Sequence, residues 1–166
     1  GTIVNNTFQT QTDTYTVTAN TTENCPSAPF TVTVNINPAP VIPDQANTIC
    51  GGDNIAINFV DAPGNFPITI VPNGTTYTWS LPSTTGNITG AQAANASTNF
   101  SQTLGNTSPT IQTATYSVTP NAGNCPGAPF EIVITVNPTP DILDMNEVSC
   151  SGSSFDFTPS MGIIPV

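Results

Sequence analysis

The sequence predicts an all-β protein made of tandem, immunoglobulin-sized Greek-key sandwiches, repeating about every 100 residues. Two long stretches carry the repeat. "NCPSAPFTVTVNINPAP" runs from Asn24 to Pro40 and "NCPGAPFEIVITVNPTP" from Asn124 to Pro140, and eight of the sixteen positions from each cysteine onward are identical. The match extends backward with one insertion ("TDTYTVT" from Thr12, "TATYSVT" from Thr113) and forward ("ICGGDNIAINF" from Ile49, "SCSGSSFDFTP" from Ser149). Apolar residues alternate with polar ones in short runs broken by Gly, Pro and Asn, and no segment has a helical period.

The repeat divides the chain into the end of one unit (1–40), one complete unit (41–140) and the start of a third (141–166). In the complete unit, 41–49 reads as strand A. Strand B, 54–60, turns Ile55, Ile57 and Phe59 to one face, and strand C, 75–81, turns Tyr77, Trp79 and Leu81 inward. Segments 86–91 and 98–104 are candidates for D and E. Strand F, 112–119, buries Ala114, Tyr116 and Val118. Strand G, 129–137, buries Phe130, Ile132, Ile134 and Val136. Seven strands in this length, with Trp on C and Tyr on F, are a Greek-key sandwich pattern. Pro38 and Pro40, like Pro138 and Pro140, close each G strand. Two prolines one residue apart make a stiff, extended joint, so the array reads as a semi-rigid rod.

Composition narrows the function. Ten carboxylates and no Lys, Arg or His give a formal charge of −10. Nothing here neutralises phosphate, which excludes nucleic acid as a partner and argues against anionic membrane surfaces. No apolar run has membrane-spanning length, so this segment is not expected to insert in a membrane. With only 6% charged residues, solubility rests on Thr, Asn, Ser and Gln. Trypsin-like proteases find no site. Without His, Lys or Arg the usual near-neutral base and the usual oxyanion clamps are missing, so the chain does not read as an enzyme. It lacks the basic n-region of a signal peptide and reads as a segment of something longer.

"CGGDNIAINF" from Cys50, "VPNGTTYTWS" from Val71 and "TLGNTSPTIQTATYSVTPNAGNCPGAPFEIVITVNPTP" from Thr103 resemble the PKD-like, immunoglobulin-type repeats of giant surface adhesins from gliding Bacteroidetes. The resemblance spans the middle repeat and both flanking pieces. It implies export by type 9 secretion, an extracellular cell-surface location, gliding motility or attachment, and a stalk that spaces an adhesive region from the cell. Partners would be neighbouring repeats, with surface glycans or other adhesin chains beyond them. Alternative readings are a glycan- or calcium-binding adhesive module and an accessory β-domain of a secreted hydrolase. The acidic Asp-Phe-Gly-Asp-Gly turn of true PKD domains is replaced here by "SLPSTTG" after Trp79, so any role of that turn does not carry over.

Candidate sites have competing readings. Cys25, Cys50, Cys125 and Cys150 lack the CxxC spacing and histidines of a zinc site, and an extracellular chain favours disulfides. Cys50 lies at the A–B turn and Cys125 at the F–G turn. These are opposite ends of a sandwich, about 25–30 Å apart, whereas a disulfide needs Cα atoms within about 7 Å. The favoured pairing therefore crosses a joint, A–B cysteine to the F–G cysteine of the next repeat. Alternatives are Cys25–Cys50 with Cys125–Cys150, an intra-repeat Cys50–Cys125 bond, and free thiols. Trp79 is read as core rather than a sugar-stacking platform, with Tyr77, Tyr116 and Phe130 beside it. Tyr15 and Tyr116 are candidates to tie a strand corner through their hydroxyls. Asp141, Asp144 and Glu147 are a candidate calcium set, with solvated joint residues as the plainer account; no other cofactor is expected. Asn-x-Ser/Thr at Asn5, Asn20, Asn73, Asn87, Asn95, Asn99 and Asn106 is attributed mainly to composition.

Overall fold

The computed structural model describes residues 2–62, 68–156, 158 and 161–163. Among these all regular elements are strands, in chain order β1 (Gln11–Val17), β2 (Phe30–Ile36), β3 (Gln45–Cys50), β4 (Asn54–Ile57), β5 (Thr75–Trp79), β6 (Ser83–Thr84), β7 (Ile88–Thr89), β8 (Ala94–Ser97), β9 (Phe100–Thr103), β10 (Gly105–Asn106), β11 (Gln112–Ala122), β12 (Cys125–Pro126), β13 (Phe130–Asn137), β14 (Asp141–Ile142) and β15 (Met161–Ile163). The tail of the expected third repeat, at 157, 159–160 and 164–166, lies outside the described residues. Contacts divide the chain into two compact units. One holds Gly1–Pro43, Phe59–Thr76 and Thr119–Ala128; the other holds Asp44–Asn58, Tyr77–Val118 and Pro129–Val166.

The second unit is the sandwich. One sheet runs β3-β13-β11-β5-β8, with β6 pairing at β11. Antiparallel β4–β9 and the short pairs β7–β10 and β14–β15 form further two-stranded sheets in this unit. The β11–β13 register opposes Tyr116 to Ile132 and Val118 to Phe130. Strand β3 joins the other edge of β13 in parallel, Gln45 opposite Ile132 through Cys50 opposite Asn137. This parallel pairing starts where Glu131 N–H donates to the Asp44 carboxylate at 2.7 Å. Alternation then delivers Tyr77, Trp79, Phe100, Leu104, Ala114, Tyr116, Val118, Phe130, Ile132, Ile134 and Val136 to the interior, each at most 4% exposed. Trp79 and Phe100 ring centroids lie 5.0 Å apart, and Phe100 meets Tyr116 edge-on at 5.0 Å.

Four expectations are corrected. Strand B ends at Ile57 rather than 60, and Phe59 belongs to the first unit, not to the face of Ile55 and Ile57. Leu81 does not face inward; it is 65% exposed, because β5 ends at Trp79. Pro82, which restricts the residue before it and has no N–H to donate, lies just beyond. Strand A begins only at Gln45, since Val41 is hydrogen-bonded to Ile70 instead. The expected D strand is reduced to Ile88–Thr89, paired with Gly105–Asn106, while the strand beside β5 is Ala94–Ser97.

In the first unit β1 and β2 form a two-stranded antiparallel hairpin, Tyr15 opposite Val32 and Val17 opposite Phe30, the same register as β11–β13. The inserted residue lies in its turn. Asn20 bridges Pro26 as Asn121 pairs with Pro126, but five residues close the first turn. In the other, Ala122 and Cys125 pair across Gly123 and Asn124. Gly123 takes a φ of 61°, the positive value that two-residue hairpin turns demand.

Candidate functional site

The most heavily built place outside the sandwich core is the joint after β2, inside the first unit. Pro38 and Pro40 are buried, Pro40 almost completely, and Ile42 and Ile70 are 7% and 4% exposed. The linker is clasped by two backbone hydrogen bonds: Val41 N–H donates to Ile70 at 2.9 Å and Ile70 N–H returns to Val41 at 2.8 Å. Pro120, from the F–G region, is buried in the same unit. Gly127 fits only because it lacks a side chain; a Cβ there would strike the Pro40 carbonyl and the Pro120 ring. The joint is therefore packed, in addition to carrying the fixed φ of its prolines. Beside it an open groove of about 410 Å³ is lined by Phe8, Asn37, Pro38, Pro72, Ala122 and Gly123, among others. The sequence singled out Pro38 and Pro40. It missed Gly127, whose signal was the Ser27/Gly127 difference inside an otherwise matching "CPxAPF".

At the second joint Pro138 is half-buried and Pro140 exposed, and every residue from Asp141 to Cys150 is exposed. Among the described residues no three Cys, Asp or Glu gather as a metal site, so Asp141, Asp144 and Glu147 are not brought together there. Asp141 lies in the short β14–β15 pair, while Asp144 and Glu147 lie outside any strand. Asp44, the repeat equivalent of Asp144, spends its carboxylate on the Glu131 amide.

All four cysteines are free thiols; Cys25, Cys50 and Cys150 are exposed and Cys125 is half-buried. Cys50 opens a turn closed by Asp53, whose amide donates to the Cys50 carbonyl at 3.1 Å, and Ser153 closes the same turn on Cys150. Gly52 and Gly152 hold matching positive φ values of 96° and 87° in these turns.

Trp79 is interior and its indole N–H donates to the Gln92 carbonyl at 2.9 Å, which leaves no stacking platform. The Tyr116 hydroxyl meets Gln102 on β9 at 3.2 Å rather than a strand corner, and burial pushes its pKa up to about 12. Tyr15 donates to Asp13 on its own strand at 2.7 Å, and that bond holds its pKa above the ordinary phenol value. A second groove of about 450 Å³, along Asn54, Gly90, Gln92, Ser101, Gln102 and Thr103, has no aromatic lining.

Two of the glycosylation sequons hold the fold instead. The Asn106 amide donates to the Thr110 and Val136 carbonyls at 2.8 and 2.9 Å while its oxygen accepts from Ser108 N–H. Asn5 repeats this clamp on Gln9, Ile36 and Thr7. Both asparagines were legible only as Asn-x-Ser/Thr, a pattern that the composition makes common.

A β-sandwich with a doubled hairpin and a built joint defines a tandem immunoglobulin-type module. The chain belongs to the PKD-like domain family, whose model matches residues 1–40 and 47–140. Such domains are typically extracellular and non-catalytic, with adhesive or structural work. Among the described residues no helix is long and apolar enough to cross a membrane. Comparison with curated proteins and with solved structures returned no match.

Proposed function

We propose that the chain is a stalk segment of a long secreted cell-surface adhesin, its repeats 1–40, 41–140 and 141–166 spacing and presenting an adhesive region carried elsewhere. One observation carries this reading: the same hairpin is built twice, 100 residues on, and the linker between the copies is buried rather than loose. A packed joint transmits direction along an array, which a spacer needs and a solitary binding module does not. Two of the exposed aromatics that a glycan-binding reading would use, Tyr15 at 42% and Phe30 at 52%, occupy the positions that Tyr116 and Phe130 fill in the sandwich core, and the third, Phe155 at 64%, is the repeat equivalent of the buried Ile55. They are core residues by type. A gliding-motility role and type 9 export rest on the family resemblance. Immunogold labelling with an antibody to residues 41–140 tests the proposal. Label spaced along cell-surface fibres supports a stalk; label confined to fibre tips, or to a soluble secreted enzyme, overturns it.

A further inference from the structure

The chain enters the complete repeat through β3 and leaves it through β13, and these two strands are hydrogen-bonded neighbours. They run parallel, Gln45 opposite Ile132 through Cys50 opposite Asn137. Strand β3 is the edge of its sheet, so among the described residues this ladder is the strand pairing that ties it to the sandwich. The ladder lies inside the complete repeat, with residues 1–43 leading into it and 138–166 leading out.

Both ends of the ladder are sealed. At its start the Glu131 amide donates to the Asp44 carboxylate at 2.7 Å. At its finish the Gly51 amide donates to the Asn137 carbonyl at 2.9 Å, and the Thr139 hydroxyl donates to the Gly51 carbonyl at 2.7 Å. The Gly51 bond also sets the phase. Main-chain groups alternate in direction along a strand, so Gln45, Asn47 and Ile49 turn theirs towards β13.

Direction decides how such a ladder meets tension. In a tandem stalk the pull on this repeat arrives at the start of β3 and departs at the end of β13. The strands are parallel, so these two points lie at opposite ends of the ladder and the pull runs along it. The evenly spaced bonds of a parallel pair are then loaded together, in shear. In an antiparallel pair both points would share one end, and the bonds would open one at a time. We propose that the β3–β13 ladder is a shear lock that sets the force at which this repeat yields. The proposal rests on the stalk reading and gives it a mechanical basis. Forced unfolding follows the unfolding rate rather than equilibrium stability. The lock therefore makes resistance depend on where the chain is held.

Single molecules of the 166-residue chain are stretched in optical tweezers in two geometries. In the first the handles sit on the two chain ends. In the second the C-terminal handle moves to the exposed Ala128, just ahead of β13, so both pulls act at the Asp44–Glu131 end of the ladder. End-to-end stretching is expected to need a several-fold higher force to detach β3 than stretching from Ala128. Asp44→Ala and Thr139→Ala each lower the end-to-end force, while the urea midpoint followed by Trp79 moves little, because both residues are exposed. Equal forces in the two geometries, an end-to-end force indifferent to both substitutions, or a loss of force matched by an equal loss of equilibrium stability would each overturn the proposal. The lock is measured on the purified chain and the stalk by immunogold labelling on cells, so the two failures are distinguishable.

Discussion

The hairpins β1–β2 and β11–β13 are one design in two surroundings. Their strands share register, their turns share an Asn–Pro pairing, and each is clamped by an asparagine from the segment before it. Yet Tyr116, Val118 and Ile132 are wholly buried and Phe130 is 4% exposed, while Tyr15, Val17, Val32 and Phe30 range from 37% to 52%. Sequence and local hydrogen bonding set the strand pairing in both. Burial depends on what faces the hairpin, and among the described residues β11–β13 has such a layer in the β4–β9 pair and its neighbours. A hairpin alone is marginal in water, and it is the apposed layer that turns alternation into stability.

Matched substitutions across the two copies measure that difference. Phe130→Ala should cost about 3–5 kcal/mol, the range for truncating a buried aromatic. Phe30→Ala should stay within about 0.5 kcal/mol, as exposed positions do. Denaturant unfolding followed by Trp79, the single tryptophan and a core residue, reads the first, and amide exchange across β1–β2 reads the second. Equal effects would mean that the first hairpin has a core of its own.

Alternation made β11 and β13 legible residue by residue, because both faces of those strands have opposite tasks. It failed where a strand is defined by something other than a face. Ala94–Ser97 carries no large apolar residue and is placed by pairing with β5, so "ANAS" gave no signal. Leu81 continues the alternation of Tyr77 and Trp79 past the end of the strand, which stops short of Pro82. The joint was visible as Pro-x-Pro, but its burial depends on Ile70 and Gly127, far along the chain. No local pattern announces such contacts.

The asparagine clamps give the second comparison. Asn106→Ala leaves the Val136 and Thr110 carbonyls and the Ser108 amide without their partner at a site where Asn106 is 6% exposed. The expected cost is about 1–3 kcal/mol, the desolvation penalty of buried groups left unmade. Asn5→Ala removes the same bonds where water can replace most of them, so the loss should be about 1 kcal/mol or less. Urea midpoints for the first, and exchange of the Thr7 amide for the second, check this. A large effect at Asn5 would show that local clamping, rather than apposition of a second layer, holds the isolated hairpin.

The smallest expected difference tests whether the joint distinguishes the two copies. Gly127→Ser copies the first hairpin's residue onto the second and drives a side chain at the Pro40 carbonyl, so it should cost about 1–3 kcal/mol, as overpacking does. Its local mark should be faster exchange of the Val41 and Ile70 amides, whose reciprocal bonds clasp the linker. Ser27→Gly is the reverse exchange. It gives up the Ser27 hydroxyl bonds to Ala19 and Ala28, both exposed, and should change stability by less than about 1 kcal/mol with Val41 and Ile70 protection intact. If Gly127→Ser leaves those two amides protected, the linker is held by proline stiffness alone. Neighbouring repeats would then be free to differ at this position without consequence for how they are joined.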